Sequence, residues 1–410
     1  MSLALLRALC AALLIAITLA PVGARALAKK APCVLASSRD HGKSWTAIAR
    51  ADGNGGGDTS TLHTGREIYQ AACVACHGRD GTGAPKTMVG FQRPATFPDF
   101  TQCDQTAPEY VRDWKAVIRD GGPARGFSEI MPAFGDVLTP EQIDELAEYL
   151  RSLCRNQDKD RTWPPGELNL PRALLTEKAF PEDEVVIRTS VATKSAPGIT
   201  NDLVFEYRID GRNQFEASVP VTSLHRDTGG YQTGIGDLAL GLKHVFFWNL
   251  DAAGKRGSIL ALQGEIVLPT GNAARGFGTG EAILGVFASY DVLLPRSTFV
   301  QFQAGGDFPQ HTRTTPNAVF ARGAFGASFS KGFGRQWSPM IELTADRDLR
   351  NGAVTNWSAI PEFQVTLNTR QHVRAALGYQ RALNNTAGRD NQVMFYLLWD
   401  WFDGGLLEGW

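Results

Sequence analysis

Six cysteines in 410 residues are too few for a disulfide scaffold. A basic surplus is missing too: 41 Lys and Arg face 42 Asp and Glu, a net charge of −1. That balance argues against an electrostatic nucleic-acid binder. Beyond the N-terminus there is no run of ~18 apolar residues, which excludes a polytopic helical membrane protein. A transmembrane barrel escapes this test, because its strands leave only a weak hydropathy signal. Hydrophobic residues make up 43% and charged residues 20%, so the chain can bury a core. Glycine is in surplus, with 43 residues against a norm of ~7%.

Residues 1–28 read as a secretory signal. Arg7 supplies the positive n-region, and Ala8 to Ala20 is an apolar stretch too short to span a bilayer. Ala26-Leu27-Ala28 is a small-x-small cleavage site. Neither Cys10 nor Cys33 follows the small residues of a lipobox, so a lipid anchor is not expected. Residues 29–61, with Gly53 and Gly55-Gly56-Gly57, read as linker. Residues 62–155 carry helical patterns and four cysteines. Residues 156–183 contain Pro164-Pro165, Pro171 and Pro181 and read as a second, stiffer linker. From 184 to 410 the pattern is period two and cysteine is absent.

Cys73-Val74-Ala75-Cys76-His77 is a CxxCH motif. Two thiols on one helical turn can add to the two vinyl groups of a haem, and the adjoining His then sits beneath the iron. A zinc site would want a second ligand pair, which the sequence does not offer. Thr64 and Glu67 form a capping box for the helix that carries the motif. A sixth ligand is expected on the other side. The candidates are Met88, Met131, Met340, Met394 or a histidine. Met131 stands out: it precedes Pro132 in an irregular stretch, just before a second capping box of Thr139, Pro140 and Gln142. His63 sits at a helix start and reads as solvated.

The segment from about 62 to 155 resembles a class I, single-haem cytochrome c domain. The matching pieces are Gly65 and Tyr69, Cys73-Val-Ala-Cys76-His77-Gly78, Asp80-Gly81-x-Gly83, and Met131-Pro132-Ala133-Phe134 before a terminal helix. The resemblance implies an all-α domain with one covalent haem c. It implies His77 and Met131 as axial ligands, with a helix crossing at Gly65 and Tyr69 near Tyr149. It also implies one-electron transfer rather than substrate chemistry. Met/His ligation raises the reduction potential relative to other axial sets. Cys103 and Cys154 remain in this segment, and a disulfide between them would tie a mid-domain loop to the terminal helix.

The second half alternates strictly. Leu284, Val286, Ala288 and Tyr290 oppose Gly285, Ser289 and Asp291. Ile341, Leu343 and Ala345 oppose Glu342, Thr344 and Asp346. Val393, Phe395, Leu397, Trp399 and Trp401 oppose Gln392 and Asp400. About twelve such segments run from Val185 to Phe402, which suits an all-β antiparallel transmembrane barrel. A soluble sandwich shares the alternation. The connections favour the barrel: Asp210 to Arg212, Pro295-Arg296, Gly332 to Gln336 and Thr369-Arg370 are tight. Ser223 to Gly234, Pro269 to Gly280 and Phe308 to Asn317 are long, and Asn249 to Gly257 is longer than the short-turn rule prefers. Short periplasmic turns and long outer loops would put the first domain on the periplasmic side. Aromatics at Phe246 to Trp248, Trp337, Trp357 and Trp399 to Phe402 fit interface girdles. Gly234-Ile235-Gly236-Asp237-Leu238 and Leu268-Pro269-Thr270-Gly271 resemble an outer-membrane transporter family linked to phenol meta-cleavage pathways. That likeness implies a channel barrel but no solute.

The expected inward face carries both signs: Arg188, Glu206, Arg208, Asp237, Lys243, Glu265, Arg322, Glu342, Asp346, Glu362 and Arg374. His244 and His372 read as interface or lumen residues. No nucleophile–base pair or metal cluster shows in this half. The expectation is an electron carrier, not an enzyme, with one haem c in the periplasm on an outer-membrane barrel. Its partners would be periplasmic electron donors or acceptors and outer-membrane lipid, with no nucleic acid. The alternative is a channel gated or plugged by the cytochrome domain.

Overall fold

The computed structural model describes residues 62–85, 90–94, 97–155, 158, 161–193, 198–226, 229–312, 315–330, 335–387 and 389–401. The signal segment, the first linker, Cys10, Cys33, Met88, Phe402 and the tail beyond it lie outside them. Among the described residues no helix is long and apolar enough to cross a membrane.

Helices come first. α1 (Gly65–Ala72) starts at the reciprocal Thr64–Glu67 capping box and buries Ile68 and Tyr69. α2 (Val74–His77) is a single turn. α3 (Cys103–Thr106) and α4 (Val111–Asp120) follow. α5 (Pro140–Arg155) opens at the Thr139–Gln142 box and buries Ile143, Leu146, Ala147 and Leu150 along one stripe. A Cβ on Gly65 would lie 1.9 Å from the Glu145 carbonyl oxygen, so only glycine lets α1 cross α5 this closely. Beside that crossing the Tyr69 and Tyr149 rings lie 5.3 Å apart.

Thirteen strands follow among the described residues. They are β1 (Glu184–Ala192), β2 (Ile199–Arg208), β3 (Asn213–Arg226), β4 (Gly230–Ile235) and β5 (Leu238–Leu250). Next come β6 (Gly257–Leu268), β7 (Ile283–Leu294), β8 (Thr298–Pro309) and β9 (Ala318–Ala327). β10 (Trp337–Asp348), β11 (Asn356–Thr366), β12 (Val373–Ala382) and β13 (Gln392–Asp400) complete the set. Each pairs antiparallel with its chain neighbour, and β1 pairs with β13, so the sheet closes. β4 and β5 both pair with β3 and form one stave broken at Gly236-Asp237. The result is a closed twelve-stave barrel.

Burial is inverted relative to a soluble protein. On β10, Ile341 is 52% exposed while Glu342 beside it is fully buried. Leu203, Tyr207, Leu242, Phe302, Phe325 and Leu343 are likewise outward and exposed, on several strands. A continuous apolar belt of this kind belongs in lipid, not water.

Three expectations need correction. The connection from Ser223 to Gly234 is not a long loop. β3 and β4 stay paired from Val221↔Ile235 to Arg226↔Gly230, forming a hairpin that extends past the break in the stave. The inward face is not uniformly polar. β1 and β13 send Val186, Met394, Tyr396 and Leu398 inward, where they cluster with Val204, Ile360 and Ala376. Asp346, expected in the lumen, is mostly exposed at a strand end beside Asn356.

The apolar cluster has a reason. Residues 166–183, which read as a solvent linker, run through the barrel interior. Leu168, Leu170, Leu174, Ala179 and Phe180 are all buried. Leu168, Leu170, Ala179 and Phe180 pack on Val245, Ile259, Ala261, Leu293, Phe299 and Met340 of the wall. Leu174 packs with the other cluster. The segment enters and leaves by the end carrying the short turns, where it continues into β1.

Candidate functional site

The CxxCH turn is built by its backbone. Cys73 caps α2, and Gly78 ends it with φ +74, donating its N–H to the Val74 carbonyl. The loop that follows folds back: Gly83 N–H donates to the His77 carbonyl at 2.8 Å and Ala84 N–H to that of Cys76 at 2.9 Å. Gly78, Gly81 and Gly83 all have positive φ, the conformation this reversal needs. The buried Tyr69 hydroxyl donates to the Gly78 carbonyl at 2.6 Å, pinning the motif to α1.

His77 is held by aromatics. Its ring lies 5.0 Å from both Phe97 and Phe100, stacked on the first. Phe100 leans on Trp114 of α4, and its N–H donates to the Gly81 carbonyl. Burial, aided by the nearby Arg93 guanidinium, lowers the His77 pKa to about 4. The imidazole is therefore neutral at pH 7, the form that ligates a metal. Its Nδ1 is buried without a protein hydrogen-bond partner. Cys73 and Cys76 are free thiols. Two thiols on one turn and a neutral imidazole with an orphaned nitrogen fit a haem c.

Met131 sits in a stretch laid along the end of α4. Its carbonyl accepts from Gly122 N–H at 3.0 Å, Phe134 N–H donates to Ile118 and Gly135 N–H to Arg119. Gly121, with φ +82, ends α4 against this stretch. Met340 and Met394 lie in the barrel's buried clusters, away from the helical segment, and are no longer ligand candidates. His63 is exposed. His244 bonds Asn213 on the barrel, and His372 is buried against Asp400. Cys103 and Cys154 are bonded, with Cα atoms 5.1 Å apart, tying α3 to the end of α5. The sequence did not single out Phe97, Phe100 or Arg93, because they lie in an aperiodic loop.

The helical part is docked on the barrel. Arg208, at the end of β2, donates to the Asp104 carbonyl at 2.7 Å and pairs with Asp183 at 2.6 Å. Arg112 donates to Gln336 at 2.6 Å. Arg125 donates to the Arg370 carbonyl, and Arg370 returns a bond to that of Gly126. These barrel partners lie at the short-turn end. The segment that enters the lumen is clipped to the same face. Gly166 N–H donates to the Ala107 carbonyl, while Glu167 accepts from Val111 N–H and pairs with Arg151.

Comparison with known proteins agrees with the helical site. Residues 60–150 match the family described as cytochrome c oxidase, cbb3-type, subunit III. A quinohemoprotein alcohol dehydrogenase of Pseudomonas putida is 28% identical over 108 residues, which are 26% of this chain and 12% of that enzyme. Among solved structures, an outer membrane channel of Pseudomonas putida F1 superposes with a TM-score of 0.40 at 13% identity, covering 56% of this chain and 99% of its own. The KdgM porin gives 0.35 at 8% identity, covering 53% of this chain and 99% of its own. Residues 60–150 thus match a cytochrome c family model, and the strands that follow close into a twelve-stave barrel with an apolar outer belt.

Proposed function

We propose that this protein is an electron carrier with one covalent haem c, held on the periplasmic face of the outer membrane by its barrel. The observation that carries the reading is His77: half-buried between Phe97 and Phe100, with its Nδ1 buried, and one position after two free thiols that share its turn. Cys73 and Cys76 would hold the haem by thioethers, and His77 and Met131 would be its axial ligands. A haem c bound there supplies a one-electron iron couple. The protein's own part is to position and exclude. Phe97 and Phe100 fix the His77 ring plane, and the Gly83 and Ala84 bonds fix its backbone. Methionine in the sixth position would leave no open iron site, which argues against peroxidase-type chemistry. The short-turn end supports a periplasmic cytochrome, because outer-membrane barrels keep short turns on that side.

The docked arrangement favours a fixed electron relay that partner proteins visit. Purified holoprotein in liposomes tests the reading. Protease accessibility selects vesicles with the cytochrome domain inside. The haem is reduced by a trapped donor, and a protein-sized oxidant is added inside or outside. Oxidation from inside only is the expected result. Rapid oxidation from outside would overturn the one-sided relay and mean that electrons cross the barrel. A haem unresponsive to oxidants on either side would overturn the carrier role itself.

A further inference from the structure

The lumenal segment is bound in an unusual way. It is an extended peptide whose main-chain polar groups are met mostly by side chains of the wall. Glu362 accepts from Leu174 N–H at 3.0 Å. Glu342 accepts from Leu175 and Thr176 N–H and from the Thr176 hydroxyl. Asp291 accepts from Ala179 N–H at 2.8 Å, and Gln214 from Glu182 N–H at 2.7 Å. In the other direction Arg188 donates to the Leu174 carbonyl, Arg322 to that of Leu175, and Tyr396 to that of Arg172. Arg172 is wedged between Glu184 at 2.6 Å and Glu206 at 2.9 Å. The segment reaches well into the barrel. Glu342 lies five residues along β10 from Trp337, roughly 16 Å at the usual strand rise.

The wall behind it is acidic. Glu184, Glu206, Glu216, Asp291, Glu342 and Glu362 face the segment and are buried. On the same wall Arg374 is matched by Asp400 at 2.9 Å and Arg188 by Asp202 at 3.0 Å. Lys243 and Arg322, with Arg208 at the mouth held by Asp183 of the segment, are left to oppose six carboxylates. The segment answers them with Arg172, with the buried Lys178, which pairs with Glu182 and lies 3.8 Å from Glu184, and with its backbone N–H donors, while bringing Glu167, Glu177, Glu182 and Asp183 of its own. Both of its ends are anchored at the short-turn mouth, one clipped to the cytochrome domain through Gly166 and Glu167, the other entering β1 at Glu184. It is therefore a loop that can leave the lumen without unpairing a strand.

We infer that residues 166–183 are a stopper in a cation-conducting pore, and that withdrawing the loop opens a path for small hydrated cations. Clearing the loop removes Arg172 and Lys178 together with the loop's own carboxylates, and exposes the six wall carboxylates to water. A narrow lumen whose wall is net negative concentrates cations and repels anions. The inference goes beyond the electron-carrier reading and does not depend on it.

Single-channel recording in planar bilayers tests it on the full-length holoprotein. Two variants displace the loop by different means. In Arg172→Asp combined with Leu174→Asp, like charges drive the tip away from Glu184 and Glu206. In the other, residues 172–177 are replaced by Gly and Ser at equal length. Haem absorbance and heat-modifiable gel mobility confirm that both halves are folded. The wild-type protein is expected to be closed in KCl. Both variants are expected to conduct, with K⁺ favoured over Cl⁻ roughly tenfold, as a charged low-dielectric lumen gives. Three outcomes would overturn the inference: a wild-type protein as conductive as the variants, folded variants that stay closed, or an open state that prefers Cl⁻. If a variant does not fold, Leu174→Cys in the wild-type background replaces it. Its labelling by a cationic methanethiosulfonate faster than by an anionic one is then expected, and the reverse order would sink the cation path.

Discussion

At the scale of single residues, two positions in the cytochrome domain carry sharp consequences. Gly65 has no room for a side chain, since a Cβ would meet the Glu145 carbonyl oxygen at 1.9 Å. Gly65→Ala should destabilise the domain by about 1–3 kcal/mol, the usual cost of overpacking, and possess a lower melting temperature followed by haem absorbance. Met131→Ala should leave the thioether attachment intact. The reduction potential should fall by a few tenths of a volt, within the ~0.8 V that axial ligands span, and the sulfur-to-iron absorbance should vanish. Redox titration checks this, and an unchanged potential would remove Met131 from the ligand set. These positions were legible in the sequence because each has a local signature: a glycine one turn before a tyrosine, and a Met-Pro ahead of a capping box. The aromatic cage of His77 was not legible, because Phe97 and Phe100 come from a loop with no period.

At the scale of elements, capping boxes announced α1 and α5, and the structure starts both helices there. The bond between Cys103 and Cys154 closes a loop with a sequence separation of 51 residues. Replacing both by serine should cost about 4 kcal/mol on the loop-entropy scale. Denaturant unfolding followed by haem absorbance is the check, and a loss under 1 kcal/mol would mean that packing of α3 on α5 suffices. The alternation of β7 and β10 separated their two faces correctly, since Ile341 is exposed to the lipid side and Glu342 buried. On β13 the two faces also separate as expected, but the inward one is largely apolar. Its inward residues Met394, Tyr396 and Leu398 pack with Val186 and with Leu174 of the lumenal loop. Period-two patterns report contrast between faces, and a strand that touches lipid outside and an apolar loop inside has little.

At the scale of the whole molecule, the cytochrome domain is clamped to the barrel mouth. Arg370→Ala with Gln336→Ala removes two barrel-side holds on the helices, those to Gly126 and Arg112. Docking should weaken by about 2 kcal/mol, opening residues 161–165 to limited proteolysis roughly 30-fold faster while haem absorbance is unchanged. Unchanged proteolysis would mean that the contacts left in place, those of Arg208, Arg125, Gly166 and Glu167, hold the domain. The same clamp bears on how electrons arrive. If the protein carries electrons as proposed, a docked cytochrome does not search for partners, and donor and acceptor proteins would come to it.

The sequence by itself determined what depends on neighbours in the chain. CxxCH spacing, capping boxes and strand alternation are local, and each is dictated by helix or strand geometry within a few residues. From them came the two halves, the CxxCH turn and the number of staves. Only the tertiary structure decided the place of residues 166–183. Prolines and mixed polarity read as linker, because nothing local distinguishes an extended chain in water from one in a polar lumen. The difference lies in distant partners: Glu342 and Glu362 are 166 and 188 positions away from the backbone groups they bind. A buried backbone must have its hydrogen bonds met, and here the wall meets them.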